Sequence, residues 1–135
     1  MSEPRAGAGS SPLARTPAPP YFAAIFTRVQ SAAHHERYAE VAARMVELAR
    51  QQPGFLGAES ASQADGLGIT VSYWESLEAL HAWGRQAEHR LAQREGQASF
   101  YQEYALRIVR VEEARSFAAL SPAGAGRPGG ASDPG

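Results

Sequence analysis

The stretch from Ile69 to Glu113 changes its hydrophobic period twice, from a two-residue alternation to a helical spacing and back, so it must fold as strand, helix and strand. Ile69, Val71 and Tyr73 alternate with Thr70, Ser72 and Trp74, the two-residue repeat of a strand. Ser76 then stands as a helix cap, and Glu78 lies in the first turn, where the helix dipole favours negative charge. Leu77, Leu80, His81 and Gly84 fall on what reads as the buried side of that helix. Ala87, Leu91 and Arg94 carry the spacing onward past a kink permitted at Gly84, until Gly96 ends it. From Phe100 the alternation returns, with Tyr104, Leu106 and Ile108 set against Ala105, Arg107 and Val109.

The preceding residues supply the other half of a fold. Tyr21 to Val29 is apolar on both faces for most of its length: Tyr21, Ala23 and Ile25 on one, Phe22, Ala24 and Phe26 on the other, followed by Arg28. A strand of that kind is covered on both sides. Tyr38, Val41, Ala42, Met45, Leu48 and Ala49 then form one face of a helix spanning 34–52, with Glu36, Arg37, Glu40, Arg44, Glu47 and Arg50 opposite. Pro53-Gly54 stops that helix, and residues 55–62 and 69–74 read as strands joined by a turn around Asp65-Gly66.

The order βαββαβ predicts an α+β, ferredoxin-like subunit: four antiparallel strands with both helices on one face. The strands are apolar on both faces, so the face without helices needs cover from outside the chain. A homodimer with two sheets meeting face to face, a dimeric α/β barrel, is the simplest source.

Composition narrows the partners. The net charge is -1, all thirteen basic residues are Arg, and no block of one sign marks a nucleic-acid or membrane surface. Without Cys there is no disulfide, thiolate nucleophile or zinc–thiolate site. His34 and His35 are adjacent, hence diverge on a helix, and no metal site is expected. Residues 1–20 and 118–135 are rich in Gly, Pro, Ala and Ser and read as disordered tails around a domain at 21–117. With no apolar run long enough to span a membrane and no secretory signal, the cytoplasm is the expected compartment.

Pro53 to Gly57 (PGFLG), Ser72 to Ser76 (SYWES), Ala82-Trp83, His89, Ala92-Gln93, Gly96, and the set Phe100, Tyr101, Tyr104 and Arg107 occur in order. Together they resemble the antibiotic biosynthesis monooxygenase family of the dimeric α/β-barrel superfamily. The resemblance implies a pocket between sheet and helices and, in active members, cofactor-independent oxidation of electron-rich aromatics such as quinols or polyketide anthrones. Other members degrade haem, and many have no established activity. Oxygenase members pair the helix tryptophan with a pocket asparagine; the corresponding residue here is Ala79, and the chain has no Asn. The spacing of the haem ligand would select Gln93.

The residues themselves keep two readings open. Trp83 either walls a pocket, stacking on a planar substrate and offering its N–H, or packs its helix onto the sheet. His89 is a general acid/base candidate or a surface residue beside Arg85 and Glu88, and His81 reads as a buried packing residue. Trp74 reads as core or dimer contact. Tyr101 and Tyr104, three apart, would face opposite sides if the strand has begun at Tyr101, and Arg107 needs a carboxylate or a pocket anion, with a structural ion pair across the dimer the favoured of the two. The expected catalytic set is Trp83, His89 and Tyr101, with Trp83, Leu80, Phe100, Tyr104 and Arg107 contacting substrate. The expected function is cofactor-free monooxygenation of a small aromatic, with no bound cofactor. The alternatives are a non-catalytic binding or structural homodimer and, behind it, a haem-degrading enzyme.

Overall fold

A computed structural model describes residues 11–31, 35–94 and 101–119; at 35–39 and 88–94 it describes the helical backbone only. The elements are β1 (Tyr21–Gln30), α1 (His35–Arg50), β2 (Phe55–Ser62), β3 (Leu67–Trp74), α2 (Leu77–Arg94) and β4 (Tyr101–Val111). The strands form one antiparallel sheet in the order β2-β3-β1-β4. This is the ferredoxin-like arrangement that the βαββαβ order predicts.

Local chemistry sets the ends of these elements. The Ala79 amide donates to Ser76 Oγ (3.0 Å), so Ser76 caps α2 as its sequence position suggests. After α1 the Gln51 and Gln52 amides donate to the Leu48 and Ala49 carbonyls, and Gly54 takes a positive φ of 85°. Gly54 is also required for space, because a Cβ there would come within 2.6 Å of Ala79 Cβ. In the β2–β3 turn the Leu67 amide donates to Asp65 Oδ1 (3.0 Å).

The core is densest at one end of the sheet. Trp74 is completely buried among Ala49, Leu80, Phe22 and Phe55, which resolves it as core. α2 buries a stripe different from the expected one: Leu80 is buried and Trp83, Gly84 and Ala87 are half-buried, whereas Leu77 and His81 are exposed. The inward line of this helix runs 80, 83, 84, 87, so residues 77 and 81 stand at its margins. α2 continues through Gly84 as one helix.

The opposite face of the sheet is partly covered by the chain itself. Residues 11–20, assigned to a tail on composition, reach one corner of it. The Ala14 amide donates to Glu59 Oε2 (2.9 Å), and Thr16 Oγ1 is 2.8 Å from the Tyr21 hydroxyl. Ala14 lies so close to Gly57 that a Cβ there would come within 2.8 Å of it. Glu59 Oε1 accepts from the Tyr73 hydroxyl (2.7 Å). A strap is thus held by backbone and side-chain polar bonds that its composition does not announce. Farther along this face Ile69, Arg107 and Val109 are exposed. Among the described residues, no helix is long and apolar enough to cross a membrane.

Candidate functional site

Strand register explains why a hollow forms between the layers. On the helix side, residues in register across β2, β3, β1 and β4 make rows. One row is Phe55, Trp74, Phe22 and Arg110. The next is Ala58, Ser72, Ala24 and Ile108, then Ser60, Thr70, Phe26 and Leu106, and last Ser62, Gly68, Arg28 and Tyr104. The second row has small side chains at three of its four places, so the helices above it cannot close onto the sheet. The space left is a cavity of about 480 Å³ with a mainly apolar wall. Such a size and character suit a small organic ligand.

Aromatic clusters bound the cavity at both ends. At one, Trp83 stacks on Trp74 with ring centroids 6.2 Å apart, and Phe55 meets Trp74 edge-on at 5.3 Å. Trp74 Nε1 donates to Ser72 Oγ (2.9 Å), which orients the indole. At the other end Phe26, Tyr101 and Tyr104 contact one another with centroids 5.3–5.5 Å apart. Both tyrosines therefore line the cavity, contrary to the expectation that they would face opposite sides. A register shift accounts for it: Val29 pairs with Glu103 but Gln30 pairs with Tyr101, so a bulge takes up the extra residue and restores Tyr101 to the face of Tyr104.

The other expected site residues separate clearly. Leu80 and Trp83 line the cavity. Arg107 does not: Leu106 and Ile108 on either side of it are in the wall, so strand alternation turns Arg107 to the opposite face, where it is exposed. Substrate contact by Arg107 within this cavity is thereby corrected. Phe100 lies outside the described residues, and of His89 only the helical backbone is described.

The polar groups of the wall were largely missed from sequence. Arg28 is only 7% exposed, and its Nη1 donates to Thr70 Oγ1 (3.1 Å), which is itself 2.8 Å from Ser60 Oγ. The guanidinium carbon stands 5.9 Å from the Phe26 ring centroid. Gly68, opposite Arg28, leaves the room: a Cβ there would lie 2.7 Å from Arg28 Nη2. The available signal was a charged residue ending the Phe22, Ala24, Phe26 face of a strand expected to be covered on both sides. His81 also lines the cavity although exposed, as a margin residue of α2 can. Ala79 is not among the lining residues; it packs in the Trp74 cluster. Among the described residues no three metal-ligating side chains converge.

A four-stranded antiparallel sheet with two helices on one face, enclosing an apolar cavity, defines an α+β ferredoxin-like protein with room for a small molecule between its layers. Residues 20–95 match the antibiotic biosynthesis monooxygenase family, and the chain belongs to that family. It is 49% identical over 105 residues to the uncharacterized protein YqjZ of Bacillus subtilis (strain 168), spanning 78% of this chain and 91% of that one. Among solved structures it is similar to NE2512, a protein of unknown function from Nitrosomonas europaea. That likeness has a TM-score of 0.61 at 13% identity and covers 74% of this chain and 97% of the other. It is also similar to SnoaB, a cofactor-independent oxygenase from Streptomyces nogalater, with a TM-score of 0.56 at 15% identity over 72% and 95% of the two chains. At such identities these structures speak for the fold alone.

Proposed function

We propose that the protein is a cofactor-independent monooxygenase acting on a small, electron-rich aromatic of the quinol or polyketide-anthrone kind. The observation that supports this reading best is the cavity of about 480 Å³ with Trp83 in one wall and Tyr101 and Tyr104 in another, in a chain of this family. Such a substrate carries its own reducing electrons. For an anthrone, a ring methylene and O₂ give a ring carbonyl and water: one oxygen atom enters the product, and the other leaves with both methylene hydrogens. The four electrons come from the substrate, so the balance needs no further redox group.

The protein's part is to hold the ring, exclude water and manage one proton and the charge it leaves. Loss of that proton gives an electron-rich anion that passes an electron to O₂. Trp83 stacks against the ring plane. The Tyr101 hydroxyl donates to the oxygen on which negative charge develops, and an apolar wall strengthens that bond. His89 is the proposed proton acceptor, and His81 is a second imidazole in the cavity wall.

A second reading, a non-catalytic small-molecule-binding protein of the same fold, is favoured by Ala79. Where oxygenases that the chain resembles carry an asparagine, this residue packs into the Trp74 cluster. In both readings we place a second copy of the chain over the part of the sheet that the 11–20 strap leaves open, around Ile69 and Val109. Oxygen uptake with a panel of hydroquinones and anthrones distinguishes the two. Uptake by the intact protein that a Trp83→Phe/His89→Ala double variant loses supports the oxygenase. A protein that binds these compounds without consuming oxygen supports the binding role. A Soret band that shifts on haem titration would reopen haem chemistry against both.

A further inference from the structure

One hydroxyl in the floor of the cavity has a partner for its oxygen and none for its proton. The indole N–H of Trp74 can only donate, so Ser72 Oγ accepts from it at 2.9 Å and the serine O–H takes no part in that contact. Among the described residues Ser72 has no second hydrogen-bond partner. The other hydroxyls of the floor differ: Thr70 Oγ1 accepts from Arg28 Nη1 (3.1 Å) and stands 2.8 Å from Ser60 Oγ. Ser72 is half-buried, and its neighbours in register are Ala58 and Ala24, with Ile108 beyond, so apolar side chains flank it in its row. It lines the cavity at the end where Trp83 stacks on Trp74. Trp74 is wholly buried and fixed by its packing, so the hydroxyl bonded to its indole is held in place as well.

We infer that Ser72 is a ligand-binding residue whose O–H donates to a carbonyl-type oxygen of the aromatic ligand at the tryptophan end of the cavity. The inference rests on the pocket reading above and adds where the ligand carries an acceptor. A ring lying on this floor displaces water from Ser72. A hydrocarbon edge there leaves the proton without an acceptor in apolar surroundings, and an unmet buried donor costs more than a made bond returns. An oxygen at the same place restores the bond, and because the hydroxyl is held beforehand little freedom is lost on binding. Tyr101 belongs to the aromatic cluster at the opposite end. The two donors together select a ligand with oxygens at both ends of its ring system.

The probes are 2-acetylnaphthalene and 2-isopropenylnaphthalene, in which a methylene group replaces the carbonyl oxygen at nearly the same shape. Both tryptophans of the chain form the stacked pair, so quenching of tryptophan fluorescence reports either probe. Ser72→Ala should weaken the ketone about fivefold, the ratio that one neutral hydrogen bond supplies, without weakening the alkene. Alkene binding thereby also reports an intact pocket. In difference infrared spectra the carbonyl stretch of the bound ketone should lie lower in the unaltered protein than in Ser72→Ala. Equal effects of Ser72→Ala on the two probes, none included, with an unmoved carbonyl stretch overturn the inference and leave the pocket reading standing. A ketone preference that Ser72→Ala keeps and Tyr101→Phe or Thr70→Val removes overturns the assignment to Ser72. Failure of both probes to bind the unaltered protein overturns the pocket reading and this inference with it.

Discussion

The indole of Trp83 lies nearly parallel to that of Trp74, with planes 21° apart and centroids 6.2 Å apart, and the two rings face different environments. Trp74 is wholly buried, whereas Trp83 is half-buried and lines the cavity. One indole thus anchors the other: the core ring fixes the plane against which a ligand would stack. Trp74→Ala should destabilise the fold by about 3–5 kcal/mol, the usual cost of removing a buried aromatic. Trp83→Phe should cost less than about 1.5 kcal/mol as an apolar replacement of reduced size, yet weaken binding of aromatic probes. Urea denaturation and probe titration on the two variants check the division.

Gly84 and Gly54 should respond in opposite directions to alanine. Gly84 is helical and a Cβ there meets nothing within 4 Å, so Gly84→Ala should stabilise by up to about 1 kcal/mol through helix propensity. Gly84→Leu should extend into the cavity and reduce probe binding while the protein stays folded. Gly54→Ala faces both a positive φ and the Ala79 methyl and should destabilise by more than about 1 kcal/mol. Thermal melts of the three variants test this.

Tyr73 should titrate late. Burial, and then its hydrogen bond to the Glu59 carboxylate, push its phenol up from 10.0 to about 12. The folded state therefore holds this proton more tightly than the unfolded chain does. The resulting stabilisation is complete below pH 10 and is lost as pH rises through about 12. Following the tyrosinate absorbance, Glu59→Gln should bring one phenol back toward the ordinary range. The same variant should loosen the strap, since Glu59 also accepts from the Ala14 amide.

The exposed end of the second sheet face should carry the dimer contact. Ile69 and Val109 are 43% and 37% exposed there, on the sheet face opposite the cavity. Light scattering should give a dimer for the intact protein and a monomer for Ile69→Asp/Val109→Asp, with the far-ultraviolet dichroism unchanged. A monomeric intact protein at micromolar concentration would remove the second copy from the proposed assembly.

How much of the candidate site was legible depends on how each residue is fixed. Leu80 belonged to the stripe read from helical spacing, whereas Trp83 lay off the expected stripe of Leu77, Leu80, His81 and Gly84 and entered through the family resemblance. Tyr104 followed from strand alternation. Counting along β4 alone set Tyr101 and Tyr104 on opposite faces, because a bulge opposite Val29 and Gln30 cannot be counted from one strand. Arg107 was drawn to the site by its match to a family pattern, and the alternation already present in its own strand sends it away. Arg28 was visible as a charge on an apolar face, but which of its two faces the helices cover is not a property of β1.

The sequence by itself determined the six elements, their order, the Ser76 cap, the Pro53-Gly54 stop and the Asp65-Gly66 turn. These depend on residues within about four positions of one another, where period and turn chemistry act directly. Only the tertiary structure decided where the hollow lies, that Tyr101 joins Tyr104, that Arg28 is buried beside Thr70, and that residues 11–20 strap the outer face. Those outcomes come from cross-strand register and contacts between distant segments, such as Ala58, Ser72, Ala24 and Ile108 meeting in one row. A small side chain has no local signature as a cavity floor; it becomes one when the neighbours brought beside it are small as well.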